Sequence, residues 1–206
     1  YPQAPLLKIA SGANSGDYNW TETLMKNIGT NRMWGVTLHY YTIPTGSWGK
    51  KGSATAFDEK EYFNTMNNCL KMEELVTRHS TIMDKYDPAK KTALVVDEWG
   101  IWTDVEPGTN PGFLYQQNSL RDALVAGTTL NIFNNHSDRV RMANLAQTIN
   151  VLQALILTKG DQILLTPTYH VFDMYKVHMD AKKLNINFKS PDYTNADKKI
   201  PALNTE

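Results

Sequence analysis

The chain has 206 residues, its 21 Lys and Arg are balanced by 21 Asp and Glu, and a 41% hydrophobic fraction is enough for a sizeable core. Zero formal charge argues against nucleic acid or an anionic membrane as the main partner, because both select clustered positive charge. The best apolar run, residues 151–157, is far shorter than the roughly 20 residues a bilayer span requires. The single cysteine, Cys69, excludes an internal disulfide framework and any multi-Cys zinc site. The opening Tyr-Pro-Gln-Ala-Pro carries neither an initiator Met nor a signal-peptide pattern, so it reads as a mature terminus or the interior of a longer protein.

The first apolar run, Leu6-Leu7-Lys8-Ile9-Ala10, reads as a buried strand feeding a Gly/Ser/Asn loop over residues 11–16. Asn19-Trp20-Thr21-Glu22 leads into a short helix through Leu24 and Met25. Residues 33–41 are rich in β-branched and aromatic side chains and read as a second strand. Residues 42–56 hold Pro44 and several glycines, so they form a long loop of the kind that often carries function. Apolar positions at three- and four-residue spacing predict a helix over residues 59–79, with Asp58 as its N-cap.

Ala93-Leu94-Val95-Val96 is continuously apolar, as suits a strand buried on both faces of a parallel sheet. Beyond it the pattern predicts a helix over residues 111–126, a strand over 128–133 and a long helix over 137–157. Leu184-Asn185-Ile186-Asn187-Phe188 alternates like a half-exposed antiparallel strand. Strands alternating with helices, followed by a β-type tail, predict a parallel α/β architecture without internal repeats.

Asp97-Glu98-Trp99-Gly100 places two carboxylates and an indole at the end of a buried strand, where an α/β barrel carries its active residues. Strand alternation sends Asp97 and Glu98 to opposite sides, so one faces the barrel mouth and the other is structural; alternatively both cap loops. Leu38-His39-Tyr40-Tyr41 ends another strand, and its His and Tyr suit sugar hydroxyls or a carboxylate, or else bond to backbone and neighbouring side chains. Asn134 to Arg139 form a third polar junction, for which a helix cap at Ser137 or Asp138 and an Asp138–Arg139 pair suffice. Trp48, Trp99 and Trp102 lie near predicted loops and suit either a sugar platform or the core. Glu59, Glu61, Glu73 and Glu74 read as a solvated helix face. The five histidines lack helical zinc spacing, and there is no Gly-rich phosphate loop and no Gly-x-Ser-x-Gly elbow.

Five segments, in order, resemble glycoside hydrolase family 51, the retaining α-L-arabinofuranosidases. They are Lys8 to Asn14, Tyr18 to Glu22, Leu38 to Tyr41, Val96 to Trp102 and His136 to Gln147. The resemblance implies a (β/α)8 TIM barrel with an accompanying β-sandwich. This chain would hold barrel strands five to eight in residues 1–167, and a linker with the first sandwich strands in residues 168–206.

It also implies Glu98 as catalytic nucleophile, Tyr41 as its hydrogen-bonding partner with His39 beside it, and Gln147 as a sugar contact. Trp99 and Trp102 complete the expected substrate-binding set. Turnover would be by double displacement, with a second carboxyl group about 5 Å from the nucleophile. The family's acid/base glutamate follows an asparagine on the fourth strand, and no Asn-Glu pair occurs here, so the acid/base is expected outside this chain. A barrel of this class takes about 250 residues, and half of one leaves strands 6–10 and 128–133 as open edges. The expected partners are therefore an arabinose-containing oligo- or polysaccharide and the N-terminal half of the same enzyme, with a homo-oligomer as a family trait. No metal or organic cofactor is implied. An endo-acting barrel glycosidase of glucanase or xylanase type, or an inactive sugar-binding fragment, are the alternative readings.

Overall fold

The computed structural model describes residues 6–205; Tyr1 to Pro5, read above as an N-terminal segment, lie outside the described residues. Four parallel strands, β1 (Ile9–Asn14), β2 (Gly35–Thr42), β3 (Ala93–Ile101) and β4 (Val140–Leu145), form one sheet in the order β1-β2-β3-β4. Helices α1 (Tyr18–Ile28), α2 (Glu59–Cys69), α3 (Lys71–Tyr86), α4 (Leu120–Asn135) and α5 (Pro167–Tyr175) join or follow them. Two antiparallel hairpins complete the chain, β5 (Ile156–Lys159) with β6 (Gln162–Leu165) and β7 (Asp192–Asn195) with β8 (Lys198–Pro201).

The main core lies between one face of the sheet and the helices. Val36, Leu38, Leu94, Val96 and Trp99 from the sheet meet Met25, Leu75, Met83, Ala126 and Phe133 from the helices. Burial of this many large apolar side chains is the main force holding helices to sheet. The chain crosses from strand to helix to the next parallel strand, the unit from which α/β barrels are built.

Several expected elements move, each for a physical reason. The first strand runs from Ile9 to Asn14, so residues 11–14 are strand and not loop. Gly12 permits this: a Cβ there would sit 1.7 Å from the Thr37 carbonyl oxygen, and its N–H donates to Thr37 Oγ1 at 2.8 Å. The helix predicted over 59–79 is two helices meeting at Leu70, and the second continues to Tyr86. Asp58 caps the first, accepting from the Glu61 N–H at 2.8 Å.

The helix expected over 111–126 starts late. Only a 3-10 turn forms at Pro111–Phe113, and α4 begins after the capping box of Ser119 and Asp122. That helix runs through residues 128–133, predicted as strand, because Ala126, Thr129, Ile132 and Phe133 bury one helical face. The predicted helix over 137–157 is instead strand β4 followed by irregular chain and β5. The sheet's edges are accordingly β1 and β4. Residues 184–188 form no strand; Leu184, Ile186 and Phe188 are all exposed.

Residues 168–175, expected in a linker, lie in α5. Its Val171 and Phe172 pack in the main core, and Phe172 stacks on Trp99 with ring centroids 6.2 Å apart. The β7–β8 hairpin lies against the outer helices, with Tyr193 edge-on to Phe63 and Ile200 buried.

A candidate active site at the carboxyl ends of the strands

The strands end in an open cavity of about 450 Å³ lined by Asn14, Ser15, His39, Tyr40, Tyr41, Ile43, Trp48, Glu98 and Trp102. Tyr41 donates from its hydroxyl to Glu98 Oε1 at 2.6 Å, while His39 Nδ1 lies 3.2 Å from Glu98 Oε2. Both oxygens of the carboxylate are thus engaged from the side, and the group is held in one orientation while remaining partly open to solvent.

Strand alternation fails at this point. Between β2 and β3 the register passes from Thr37↔Val95 to His39↔Glu98, so β3 carries one extra residue. The bulge brings Asp97 to the same imidazole as Glu98, with Asp97 Oδ1 2.9 Å from His39 Nε2. Both carboxylates therefore reach one imidazole, while Glu98 and not Asp97 lines the cavity. Asp97 Oδ1 is buried and has no aligned hydrogen-bond donor among the described residues, so its contact with His39 is electrostatic rather than a formed hydrogen bond.

Burial, and then the hydrogen bond and negative charge of Glu98, push the Tyr41 phenol well above its ordinary pKa. That shift favours the protonated phenol that donates to Glu98. Trp102 meets Tyr41 edge-on at 4.8 Å and Trp48 edge-on at 4.9 Å, and Lys51 Nζ lies 4.9 Å from the Trp48 ring and 5.2 Å from that of Trp102. The result is an aromatic wall beside a fixed carboxylate, a surface suited to the apolar face of a sugar ring.

Trp99, expected among the substrate contacts, is not in this cavity. It is 1% exposed and packs in the helix layer between Phe133 and Phe172. Gln147 follows β4 across a cis Ala146–Gln147 bond and lines a separate cavity with Phe113, Leu114 and Tyr115. The junction from Asn134 to Arg139 connects a helix to a strand, at the opposite end of the sheet from Glu98. There Asp138 pairs with Lys90 and not with Arg139, and neither Ser137 nor Asp138 caps a helix.

Arg139, 1% exposed, donates to Asp87 Oδ2 at 2.9 Å and to the Thr92 carbonyl at 2.8 Å, and also pairs with Asp84. Burial alone would raise the Asp87 carboxyl, but the backbone N–H groups of Thr92 and Lys91 and the Arg139 guanidinium hold it below the usual range. The four glutamates expected on a solvated face all have partners: Glu59 with Tyr193, Glu61 with Arg121, Glu73 with His136 and Glu74 with Arg78.

Among the described residues no group of three His, Cys, Asp or Glu side chains is placed to hold a metal ion, and no helix is long and apolar enough to cross a membrane. The bond from the Lys51 N–H to Asp104 Oδ1, behind this cavity, carries no signal in sequence because it joins residues 53 apart.

Comparison with known proteins settles the family. The family described as "Alpha-L-arabinofuranosidase C-terminal domain" matches over residues 97–205. The chain belongs to glycoside hydrolase family 51, the α-L-arabinofuranosidases. It is 57% identical over 182 residues to the "Intracellular exo-alpha-L-arabinofuranosidase" of Bacteroides ovatus, covering 88% of this chain and 35% of that protein. The crystal structure of the family 51 arabinofuranosidase from Xanthomonas axonopodis pv. citri superposes with a TM-score of 0.94 at 56% identity, over 97% of this chain and 40% of that one. A family 51 α-L-arabinofuranosidase from Bifidobacterium longum shares the fold, with a TM-score of 0.79 at 20% identity. The chain therefore spans less than half the length of these relatives. Its parallel sheet and antiparallel hairpins are those of a barrel and sandwich fold of this family.

Proposed function

We propose that this chain supplies the nucleophile side of a retaining α-L-arabinofuranosidase site, acting on terminal arabinofuranosyl groups of plant cell-wall polysaccharides. The observation that carries the reading is Glu98 at a strand end, its two oxygens engaged by Tyr41 and His39, facing an aromatic-walled cavity. Exo action is carried over from the printed name of the Bacteroides ovatus relative.

In the first step Glu98 attacks the anomeric carbon and forms a glycosyl ester. The bond to the leaving oxygen breaks as a second carboxyl group, about 5 Å away, gives that oxygen its proton. Water then attacks the same carbon, the second group takes the water's proton, and Glu98 leaves as carboxylate with arabinose released. The Tyr41 and His39 contacts steady the carboxylate's negative charge and fix which lone pair meets the sugar. Among the described residues Glu98 is the carboxylate lining this cavity, so the acid/base is assigned to the other barrel half. We assign residues up to Tyr175 to the barrel, since α5 shares its core, and the hairpin that follows to the start of the sandwich.

Size-exclusion and intact mass of the purified material, with an aryl arabinofuranoside assay on the same fractions, test the arrangement. Activity co-eluting with a polypeptide that carries the other half is expected. Full activity from a lone 23.3 kDa species would overturn the assignment of the acid/base outside these residues.

A further inference from the structure

The long loop after β2 carries Trp48 to the cavity and Lys51 over the Trp48 and Trp102 rings, and its backbone is gripped from both polarities. Asp104, in the loop after β3, accepts from the Lys51 N–H through Oδ1 and from the Gly52 N–H through Oδ2, each at 3.1 Å. Its own N–H returns to the Gly52 carbonyl at 2.9 Å. One turn of chain further on, the Arg121 guanidinium at the start of α4 donates to the carbonyls of Ser53 and Ala54 at 2.9 and 3.3 Å. Arg121 is itself fixed: it is 2% exposed, 3.5 Å from Glu61 Oε1, and stacked 3.9 Å over the Phe57 ring. Gly52 has φ +101 and a Cβ there would lie 2.6 Å from Glu61 Oε1, so the turn sits tightly against α2.

Successive amide donors held by a carboxylate, followed by successive carbonyls held by a guanidinium, define the path of residues 51–54. The path determines where Trp48 and Lys51 lie. Lys51 sits over both indoles, Trp48 meets Trp102 edge-on, Trp102 meets Tyr41 edge-on, and Tyr41 bonds Glu98. From these contacts we infer that Asp104 and Arg121 are positioning residues that seat the Trp48–Lys51 segment on Trp102 and so complete the substrate-facing wall of the Glu98 cavity. The inference rests on the reading of that cavity as a sugar site. Neither residue lines the cavity, and both act through the loop.

Asp104 is the side chain to change, because it is exposed and its removal leaves the core intact. Asp104→Ala in the active, assembled enzyme loses both amide acceptors; Asp104→Asn keeps one and sets an amide N–H₂ against the other donor. Each lost bond is a modest term, so KM should rise about tenfold for the alanine variant and about threefold for the asparagine. kcat and its pH profile should stay within about twofold, since the carboxylate chemistry is unaltered. Acrylamide quenching of tryptophan fluorescence should increase in Asp104→Ala, and the increase should vanish when Trp48→Phe is added. In the same background the KM effect of Asp104→Ala should fall by at least half, as expected for residues acting through one contact.

Unchanged KM with unchanged quenching overturns the inference, and so does a loss of kcat at constant KM. Failure of the parent reading looks different: Glu98→Ala would keep its turnover, while the quenching change in Asp104→Ala would remain.

Discussion

At the N-terminal end of the sheet, Arg139 lies against Asp87 and Asp84; nearly all its donors are satisfied, and it and Asp87 are almost out of reach of solvent, while Asp84 stays open on the outer side. At the C-terminal end, His39 lies between Asp97 and Glu98, with all three side chains more than a third exposed. A nitrogen-bearing side chain flanked by two aspartate or glutamate side chains is common to both ends. The closed Arg139–Asp87 pair is bonded to backbone on several sides and has nothing left to offer a ligand. The open one leaves a carboxylate facing a cavity, with an imidazole in the place of the guanidinium. Access and the neighbours' hydrogen bonds, rather than residue type, separate a structural ion cluster from a candidate active site.

The largest effect that would break this contrast is at Glu98. In the assembled enzyme Glu98→Ala should lower kcat for an aryl arabinofuranoside by more than about a thousandfold while leaving stability nearly unchanged. Arg139→Met should do the reverse. It strands the buried Asp87 charge, so urea denaturation should show a loss of about 3–5 kcal/mol, with turnover per folded molecule preserved.

Asp122 sharpens the comparison as a carboxylate that is fully buried without a bonded cation. Burial pushes its pKa up to about 6 from an ordinary 3.8, against the opposing effect of the Ser119 N–H and the Arg121 charge. Such a group holds its proton longer when folded than when unfolded, so stability is lost as pH rises from about 4 to about 6. Denaturation at several pH values should show Asp122→Asn gaining on the wild type by about 3 kcal/mol across that window. The smallest effect is expected at Tyr41. Tyr41→Phe keeps the ring against Trp102 but removes the donor to Glu98, and kcat should fall about 10- to 100-fold.

The parts of this molecule that could be read from sequence are those where local pattern and tertiary role agree. Strand β2 shows its β-branched and aromatic content, strand β3 opens on an apolar run buried on both faces, and Asp58 caps the helix that its position announces. The meeting of Tyr41 and Glu98 followed from matching strand ends to a family's order, not from spacing. Strand β4 is not legible because a bulge after Val140 puts Val140 out of a two-residue period with Ala143 and Leu145, leaving a spacing that reads as helical.

Residues 128–133 have the β-branched content of a strand, yet the Ser119–Asp122 box starts a helix whose packing overrides that preference. Trp99 went to the core because the side of a strand that a residue occupies depends on the bulge at Asp97 and Glu98, which a two-residue period cannot anticipate. The grip of Asp104 on Lys51 and Gly52 joins loops 53 and 52 residues apart, and no local pattern encodes it.

Peptide mapping of the assembled enzyme after reaction with a slowly hydrolysed arabinofuranosyl fluoride tests the role of Glu98 most directly. One sugar ester on the peptide carrying Glu98, with retained configuration in the released product, is the expected result. An adduct on any other carboxylate, Asp97 included, or inversion at the anomeric carbon, would contradict it.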